Sequence, residues 1–341
     1  MGVGISLSRL ASAVATEGGV GVISCAGLGL LNRDLSKDYV EASILGLKNE
    51  IRKARENTLG IIGVNILTAL TNFEDMVRTC IEEKVNIIFS GAGLPLDLPK
   101  FLKPDSNTKL VPIVSSGKAA RLICERWKSK FDYLPDAFVV EGPKAGGHLG
   151  FKLQNINDGA HKLEIIVPET VKEIKIFEEK YNREIPVIAA GGIYTGGDIY
   201  DIMKLGAKAA QLGTRFVTTV ECDASEQFKQ AYINSKEDEI VIIESPVGMP
   251  GRAIRNDFLD KVSRGEKIPV SCPYKCIKTC EIESSPYCII SALYNAYKGN
   301  MNGGFAFSGS NAYRATKITT VKEIFSELNA EFDKRSLENP D

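Results

Sequence analysis

The sequence predicts an α/β protein whose parallel sheet closes as a TIM-type (β/α)8 barrel, with a first strand upstream of Met1. Three observations carry this prediction: short apolar runs, amphipathic stretches between them, and the number of runs. The runs are nearly continuous rather than alternating, as in parallel strands covered on both faces. We count seven runs, where a barrel needs eight. The chain also opens on a glycine-containing loop and a helix, which normally follow a strand. An open, doubly wound sheet is the alternative.

The predicted strands are short apolar runs that end at glycine or polar residues. They cover 20–25, 60–67, 85–89, 110–114, 137–140, 185–190 and 209–212. Between them, apolar residues recur at helical spacing, which predicts packed helices. These stripes start at Leu7, Val77, Ala119, Val171 and Ile199, and Asp198 is the expected N-cap of the last helix.

The alternation of strands and helices stops near residue 216, which predicts three regions. Residues 1–216 would form the barrel, 217–312 a lid or substrate domain inserted at its mouth, and 313–341 a C-terminal helix packing back on the barrel. The lid is expected to contain a helix in 221–236, a strand at 240–243, a Pro/Gly loop at 246–253 and a helix at 289–297. The last helix is expected at 318–328.

Composition excludes several classes of function. The 341 residues are 44% hydrophobic and 25% charged, with a formal net charge of −1, so neither a nucleic-acid nor an anionic-membrane partner is expected. No apolar run approaches the roughly 20 residues of a membrane span. Eight cysteines without a secretory signal favour a reducing compartment, and we expect a cytoplasmic protein without disulfides. A homodimer is possible.

Small and hydrogen-bonding residues follow nearly every predicted strand, at the edge where active sites of barrels lie. Asn65 follows the second run. A glycine pair, Gly191 and Gly192, follows the sixth run, and Gly213 with Thr214 follows the seventh. Counting the missing strand, the last two are strands seven and eight, whose loops often bind phosphate through backbone N–H groups. The sequence therefore predicts a phosphate site there, although tight turns alone could also explain the glycines.

The loop 141–150, EGPKAGGHLG, contains the residue that we expect to act in catalysis. His148 is one of two histidines in the chain and follows two glycines at the end of a predicted strand. Histidine can exchange protons near neutral pH, which suits it to substrate binding or catalysis. His161 lies in a polar stretch and is expected to be exposed to solvent.

Four of the eight cysteines fall within seventeen residues of the predicted lid, at Cys272, Cys276, Cys280 and Cys288. On a helix the first three would share one face, and such thiolates could bind zinc or an iron–sulfur cluster. The spacing matches none of the usual CxxC patterns. Reduced thiols packed in the lid are therefore the preferred interpretation, and no metal ligand is assigned.

Together these motifs resemble the nitronate monooxygenases, formerly 2-nitropropane dioxygenases, and the related FMN-dependent enoyl-acyl carrier protein reductases. The resemblance covers most of residues 1–255 and rests on MGVGISLSRLASAVATEGGVGVIS, EGPKAGGHLG, PVIAAGGI, AAQLGTRF and VGMPGRAI. It implies a barrel that binds FMN noncovalently, with His148 as base or substrate contact. The implied flavin contacts are Asn65, Glu141, Gly146, Gly192, Gln211, Leu212, Gly213 and Thr214, with Gly2 and Val3 beside the ring. Glu141 departs from the glutamine of many members.

Three functions remain open at this stage. The first is oxidation of an alkyl nitronate with O2, in which His148 would remove the α-proton of a neutral nitroalkane. The second is reduction of an enoyl thioester with NAD(P)H through FMN. The third is a non-catalytic flavin and iron–sulfur protein that transfers electrons. Because the members of this superfamily share the loop 141–150, its residues do not choose between these reactions.

Overall fold

The computed structural model describes residues 2–268, 272 and 274–339. Seven parallel strands form one curled sheet in chain order. They are β1 (Val20–Ser24), β2 (Ile61–Leu67), β3 (Ile87–Gly91), β4 (Lys109–Val114), β5 (Phe138–Glu141), β7 (Val187–Ala190) and β8 (Ala209–Gln211). The sheet confirms the predicted parallel α/β barrel architecture. β1 and β8 are its two edges, and the additional strand expected before Met1 lies outside the described residues.

A second, antiparallel sheet of three strands connects the loop 141–150 to the region after residue 216. Its order is β6 (Gly147–His148), β10 (Pro250–Ile254) and β9 (Ile240–Glu244). His148 lies opposite Gly251, and β10 forms a hairpin with β9. The predicted strand at 240–243 is therefore present. The predicted Pro/Gly loop is partly wrong, because its second half is strand β10.

Twelve α-helices are present in the described part of the chain. They are α1 (Ser8–Thr16), α2 (Leu28–Leu31), α3 (Tyr39–Asn57), α4 (Phe73–Glu82), α5 (Gly117–Phe131), α6 (Leu163–Tyr181), α7 (Gly196–Lys204), α8 (Thr214–Val217), α9 (Glu226–Ile233), α10 (Asp257–Ser263), α11 (Ile289–Tyr297) and α12 (Val321–Glu338). Within this part of the chain no helix is both long and apolar enough to cross a membrane.

The helix boundaries correct three predictions. α7 is capped by Thr195, not Asp198: the Thr195 hydroxyl accepts from the Asp198 backbone N–H, and the Asp198 carboxylate accepts from the Thr195 N–H in return. α9 is shorter than the predicted 221–236. α12 starts after Thr320 and continues well beyond residue 328.

The main core fills the space between the parallel sheet and its helices. Side chains from neighbouring strands, including Ile23, Val64, Ile88 and Phe138, have no exposed surface. Burying each such side chain contributes about 1.5–3 kcal/mol. This layer fixes the positions of the strand ends, and with them the candidate site.

The C-terminal helix α12 packs against α7. A side chain at Gly196 would place its Cβ 1.9 Å from the Leu328 carbonyl oxygen, so only glycine permits this close approach. Arg335 of α12 forms an ion pair with Asp201 at 2.9 Å. These contacts attach the end of the chain to the helix that follows β7.

Candidate active site

The two glycine-containing loops predicted to bind phosphate lie side by side. β7 and β8 are neighbours, with Ala190 opposite Gln211, so the loops that leave them start at the same level. Gly191 and Gly192 both adopt left-handed backbone conformations, with φ of 97° and 87°. A side chain would strain this turn.

The loops after β7 and β8 present unpaired hydrogen-bond donors beside open space. Among the described residues, the backbone N–H groups of Gly192 and Gly213 have no protein acceptor. No atom lies within 4 Å of the position that a Cβ on Gly213 would occupy. Unpaired N–H groups beside open space suit an anion such as a phosphate group, and we call this pair of loops the phosphate cradle.

A segment that sequence reasoning missed, 308–311, forms one wall of this cradle. The Gly309 backbone N–H donates to Thr214 Oγ1 at 2.9 Å, and the Asn311 side-chain amide donates to the Gly192 carbonyl at 2.8 Å. The Ser310 N–H donates to the Lys144 carbonyl at 3.1 Å. A Cβ on Gly309 would lie 2.5 Å from Thr214 Oγ1, so this close approach requires glycine. The glycine-rich stretch before residue 310 was therefore the sequence signal that could have revealed this segment.

The loop 141–150 is held between a buried arginine and segment 308–311. One terminal nitrogen of Arg252 donates to the carbonyls of Pro143 at 2.5 Å and Ala145 at 2.8 Å, and burial lowers the pKa of this guanidinium. On the other side, a Cβ on Gly146 would lie 2.5 Å from the backbone at Gly309. The loop is therefore fixed before any ligand binds.

His148 lies where β6 joins the antiparallel sheet. Its Nε2 is 2.7 Å from the hydroxyl oxygen of Ser245, and its ring meets that of Phe307 edge-on with centroids 4.9 Å apart. Burial lowers the pKa of His148 to about 4, so the imidazole is neutral at pH 7. If Nε2 donates to Ser245, the lone pair on Nδ1 is free to accept a proton.

Glu141 ends β5, opposite Ala190 of β7. Burial raises the pKa of its carboxyl group to about 7, because the charged form is poorly solvated there. Near neutral pH a substantial fraction of Glu141 is therefore protonated. A neutral carboxyl can donate a hydrogen bond and does not repel an anion.

The remaining predicted cofactor contacts occupy strand ends and the N-terminal loop. Asn65 lies in β2 and is 7% exposed. Val3 is almost fully buried and contacts Gly27. Gly2, Gln211 and Leu212 are half-buried. His161 is also half-buried and packs edge-on against Phe151, which corrects the expectation that it is exposed.

The four cysteines of the predicted lid do not lie on a helix, so the condition under which the first three would share one face is not met. The described residues between Cys272 and Cys288 form turns, bends and one isolated bridge at Ile277, and Lys275 has a left-handed φ of 44°. α11 begins only at Ile289. Turns nevertheless place all four cysteines around one cavity.

Comparison with known proteins identifies relatives along nearly the whole chain. The profile of the family described as nitronate monooxygenase matches residues 1–331. A Mycobacterium tuberculosis protein named (3aS,4S,5R,7aS)-5-hydroxy-7a-methyl-1-oxo-octahydro-1H-indene-4-carboxyl-CoA dehydrogenase is 27% identical over 76% of this chain and 63% of its own length. A Staphylococcus aureus protein named "Probable nitronate monooxygenase" is 33% identical over 59% of this chain. This chain spans 52% of that protein's length. The structure of FabK from Thermotoga maritima has a TM-score of 0.74 and 28% identity, covering 98% of this chain and 91% of FabK.

Proposed function

The chain belongs to the nitronate monooxygenase family, and we propose that it uses FMN and O2 to oxidise alkyl nitronates. It is an oxidoreductase with the barrel architecture of its structural relatives. The observation that carries the proposal is the combination of a phosphate cradle with a neutral histidine fixed at the barrel mouth. Bound flavin would supply the electron-accepting ring.

The phosphate group of FMN would bind between the loops after β7 and β8. The unpaired N–H groups of Gly192 and Gly213 support this placement, and the Thr214 hydroxyl is held nearby by Gly309. We propose that the cofactor also contacts strand ends and the N-terminal loop. These further contacts are Gly2, Val3, Asn65, Glu141, Gly146, Gly191, Gln211 and Leu212.

His148 would accept the α-proton of a neutral nitroalkane, and the nitroalkane would thereby become the nitronate. Because burial keeps the pKa of His148 near 4, the ring is unprotonated at pH 7 and available as a base. Ser245 would hold the ring in one orientation through the contact with Nε2. A substrate that is already a nitronate has lost this proton and would not need the base.

Glu141 would present a protonated carboxyl to the flavin. Members with glutamine at this position have a neutral donor, and a carboxyl with its pKa raised to about 7 can provide the same function. A carboxylate would instead disfavour negative charge on the reduced ring.

Residues 217–312 would act as the substrate lid over the barrel formed by residues 1–216. Residues 313–341 would pack against the barrel. Two contacts support this division. Ser245 of the region after residue 216 meets His148, and Arg252 holds the loop that carries His148. The lid would therefore complete the site as well as cover it.

Reduction of an enoyl thioester with NAD(P)H is the second candidate. It is favoured by the Mycobacterium tuberculosis relative, whose name describes a dehydrogenase that acts on a carboxyl-CoA thioester. In that reaction the lid would have to accommodate a long thioester arm and, in turn, a nicotinamide nucleotide.

One experiment separates the two candidates. The protein reconstituted with FMN is given either a primary alkyl nitronate in air or NAD(P)H with a crotonyl thioester. We expect oxygen consumption with the nitronate alone and no thioester-dependent oxidation of NAD(P)H. Thioester-dependent oxidation of NAD(P)H without turnover of nitronate would favour the second candidate. A protein that does not bind FMN would contradict both.

A further inference from the structure

A cavity of about 320 Å³ lies between the cysteine-containing segment and the loop after β2. Its wall includes four cysteines that sequence spacing alone could not interpret: Cys272, Cys276, Cys280 and Cys288. The other four cysteines of the chain, Cys25, Cys80, Cys124 and Cys222, are buried and are not part of this wall. Half of the thiols in the protein therefore surround one space.

Hydrogen bonds to the barrel fix the middle of this segment. Ile277 forms an antiparallel bridge with Leu70 just after β2. The Thr71 N–H donates to the Cys276 carbonyl at 3.1 Å, and the Lys278 N–H donates to the Ala69 carbonyl at 2.9 Å. Cys276 is consequently held against the barrel mouth, with only 5% of its surface exposed.

The last cysteine is fixed by a different element. Cys288 is the N-cap residue of α11, and its side chain makes no capping hydrogen bond. Cys280 is half-buried, with its sulfur 3.9 Å from the Ser285 hydroxyl. The thiols thus come from separate turns around the cavity rather than from one helix face.

The separation of the thiols argues against a single bound ion. Across the described residues, no three His, Cys, Asp or Glu side chains are grouped closely enough to hold one metal ion. A tetrahedral zinc site would need sulfur atoms about 2.3 Å from a common centre. A ligand with several metal atoms spans a larger distance, and the cavity volume provides room for it.

Two further features of the cavity match an anionic inorganic cluster. Tyr287, which lines the cavity, is 1% exposed, and its hydroxyl has no hydrogen-bond partner in the described structure. A buried hydroxyl without a partner is costly, and an acceptor inside the cavity would satisfy it. Lys275 also lines the cavity and would offset negative charge, whereas the ammonium group of Lys278 donates to the Thr68 carbonyl at 3.3 Å.

We propose that Cys272, Cys276, Cys280 and Cys288 bind a [4Fe–4S] cluster in this cavity. Four cysteine thiolates are the usual ligands of such a cluster, and its sulfur atoms can accept a hydrogen bond from Tyr287. This second cofactor goes beyond the proposed nitronate chemistry. Cys276 packs in one apolar group with Val3, which we propose to border the flavin ring. The cluster would therefore lie beside the flavin site.

The test measures iron and acid-labile sulfide in the protein after anaerobic reconstitution with ferrous iron and sulfide. We expect about four iron and four sulfide per chain. Cys280→Ser and Cys288→Ser should each reduce both contents at least about twofold, since each removes one of the cluster's ligands. Both cysteines are only half-buried, so these variants should fold, as circular dichroism and thermal melting would verify.

Cys124→Ala is the matched control, because it also removes one thiol, in α5, but none from the cavity. It should retain the iron and sulfide contents of the unsubstituted protein. Three results would overturn the proposal: no iron retained after reconstitution, one zinc per chain without sulfide, or equal loss of iron in the control and the two serine variants. None of these readouts depends on enzymatic activity.

Discussion

Replacing Gly213 with alanine tests the phosphate cradle without disturbing the protein itself. The backbone at Gly213 has φ of −119° and ψ of −60°, which alanine can adopt, and no atom lies within 4 Å of the new methyl group. The flavin-free protein should therefore keep its stability. The methyl group would occupy the space proposed for the phosphate. Losing a hydrogen bond to a charged group costs about 1.5–3 kcal/mol, so FMN should bind about 10- to 150-fold more weakly.

Fluorescence titration of the flavin-free protein measures this change in affinity. Riboflavin lacks the phosphate, and its affinity should be the same for Gly213→Ala and the unsubstituted protein. Gly159→Ala is the control, since Gly159 is also exposed and has no atom within 4 Å of the position that its new methyl group would take. Unchanged FMN affinity in Gly213→Ala would refute the cradle. Equal weakening of FMN and riboflavin would show that the methyl group disturbs the ring site instead.

Two further predictions concern the residues around the substrate. Burial raises the pKa of Glu141 from 4.5 to about 7. Between these two pH values the folded flavin-free protein holds a proton on Glu141 that the unfolded chain releases. The stability that this protonation contributes is therefore complete below pH 4.5 and is lost as pH rises through 7. Denaturant titrations at several pH values measure this change. Relative to Glu141→Gln, the unfolding free energy of the unsubstituted protein should fall by about 1–3 kcal/mol between pH 4.5 and 7. If the unfolding free energies of the two proteins change with pH in parallel, Glu141 does not have the raised pKa. Ser245→Ala removes the partner of His148 and should lower turnover of neutral nitroalkane by about 3- to 10-fold, with little effect on preformed nitronate. Steady-state kinetics with both substrate forms checks this, and an equal effect on both would exclude a role in orienting the base.

The barrel could be predicted from sequence because its strands are buried on both faces. Runs such as the one at 61–67 are nearly all apolar, and the glycines and polar residues that end them mark the strand boundaries. The helix at Ser8–Thr16 was recognisable because its apolar residues recur at helical spacing. Parallel pairing in chain order then followed from the alternation of strands and helices.

The missed elements are those whose local signals are weak or ambiguous. The 19-residue helix α3 was not predicted, although Asp38 caps it and Ala42, Leu47 and Ile51 form its buried face. Its mixed composition and the charged residues among its apolar positions obscured this stripe. At α7, both Thr195 and Asp198 are suitable capping residues, and only the backbone geometry distinguishes the cap from its partner at the third position.

Only part of the candidate site could be predicted from the sequence. Motifs that lie at strand ends, such as the loop 141–150, could be placed by the barrel rule. Ser245 and Gly309 could not be placed in the site from the sequence. Ser245 is 97 residues from its partner His148, and Gly309 is 95 residues from its partner Thr214. No local pattern specifies such a distant hydrogen bond, and only the folded chain brings these groups together.

The most direct test of the central claim compares His148→Asn with the unsubstituted protein, both loaded with FMN, on two forms of one substrate. Oxygen consumption is measured with neutral nitroethane and with preformed ethyl nitronate. If His148 is the base, the rate with nitroethane should fall by about 10²- to 10⁴-fold. The rate with the nitronate should change by less than about tenfold, since no proton has to be removed. An unchanged rate with nitroethane, or an equal loss with both forms, would contradict the account.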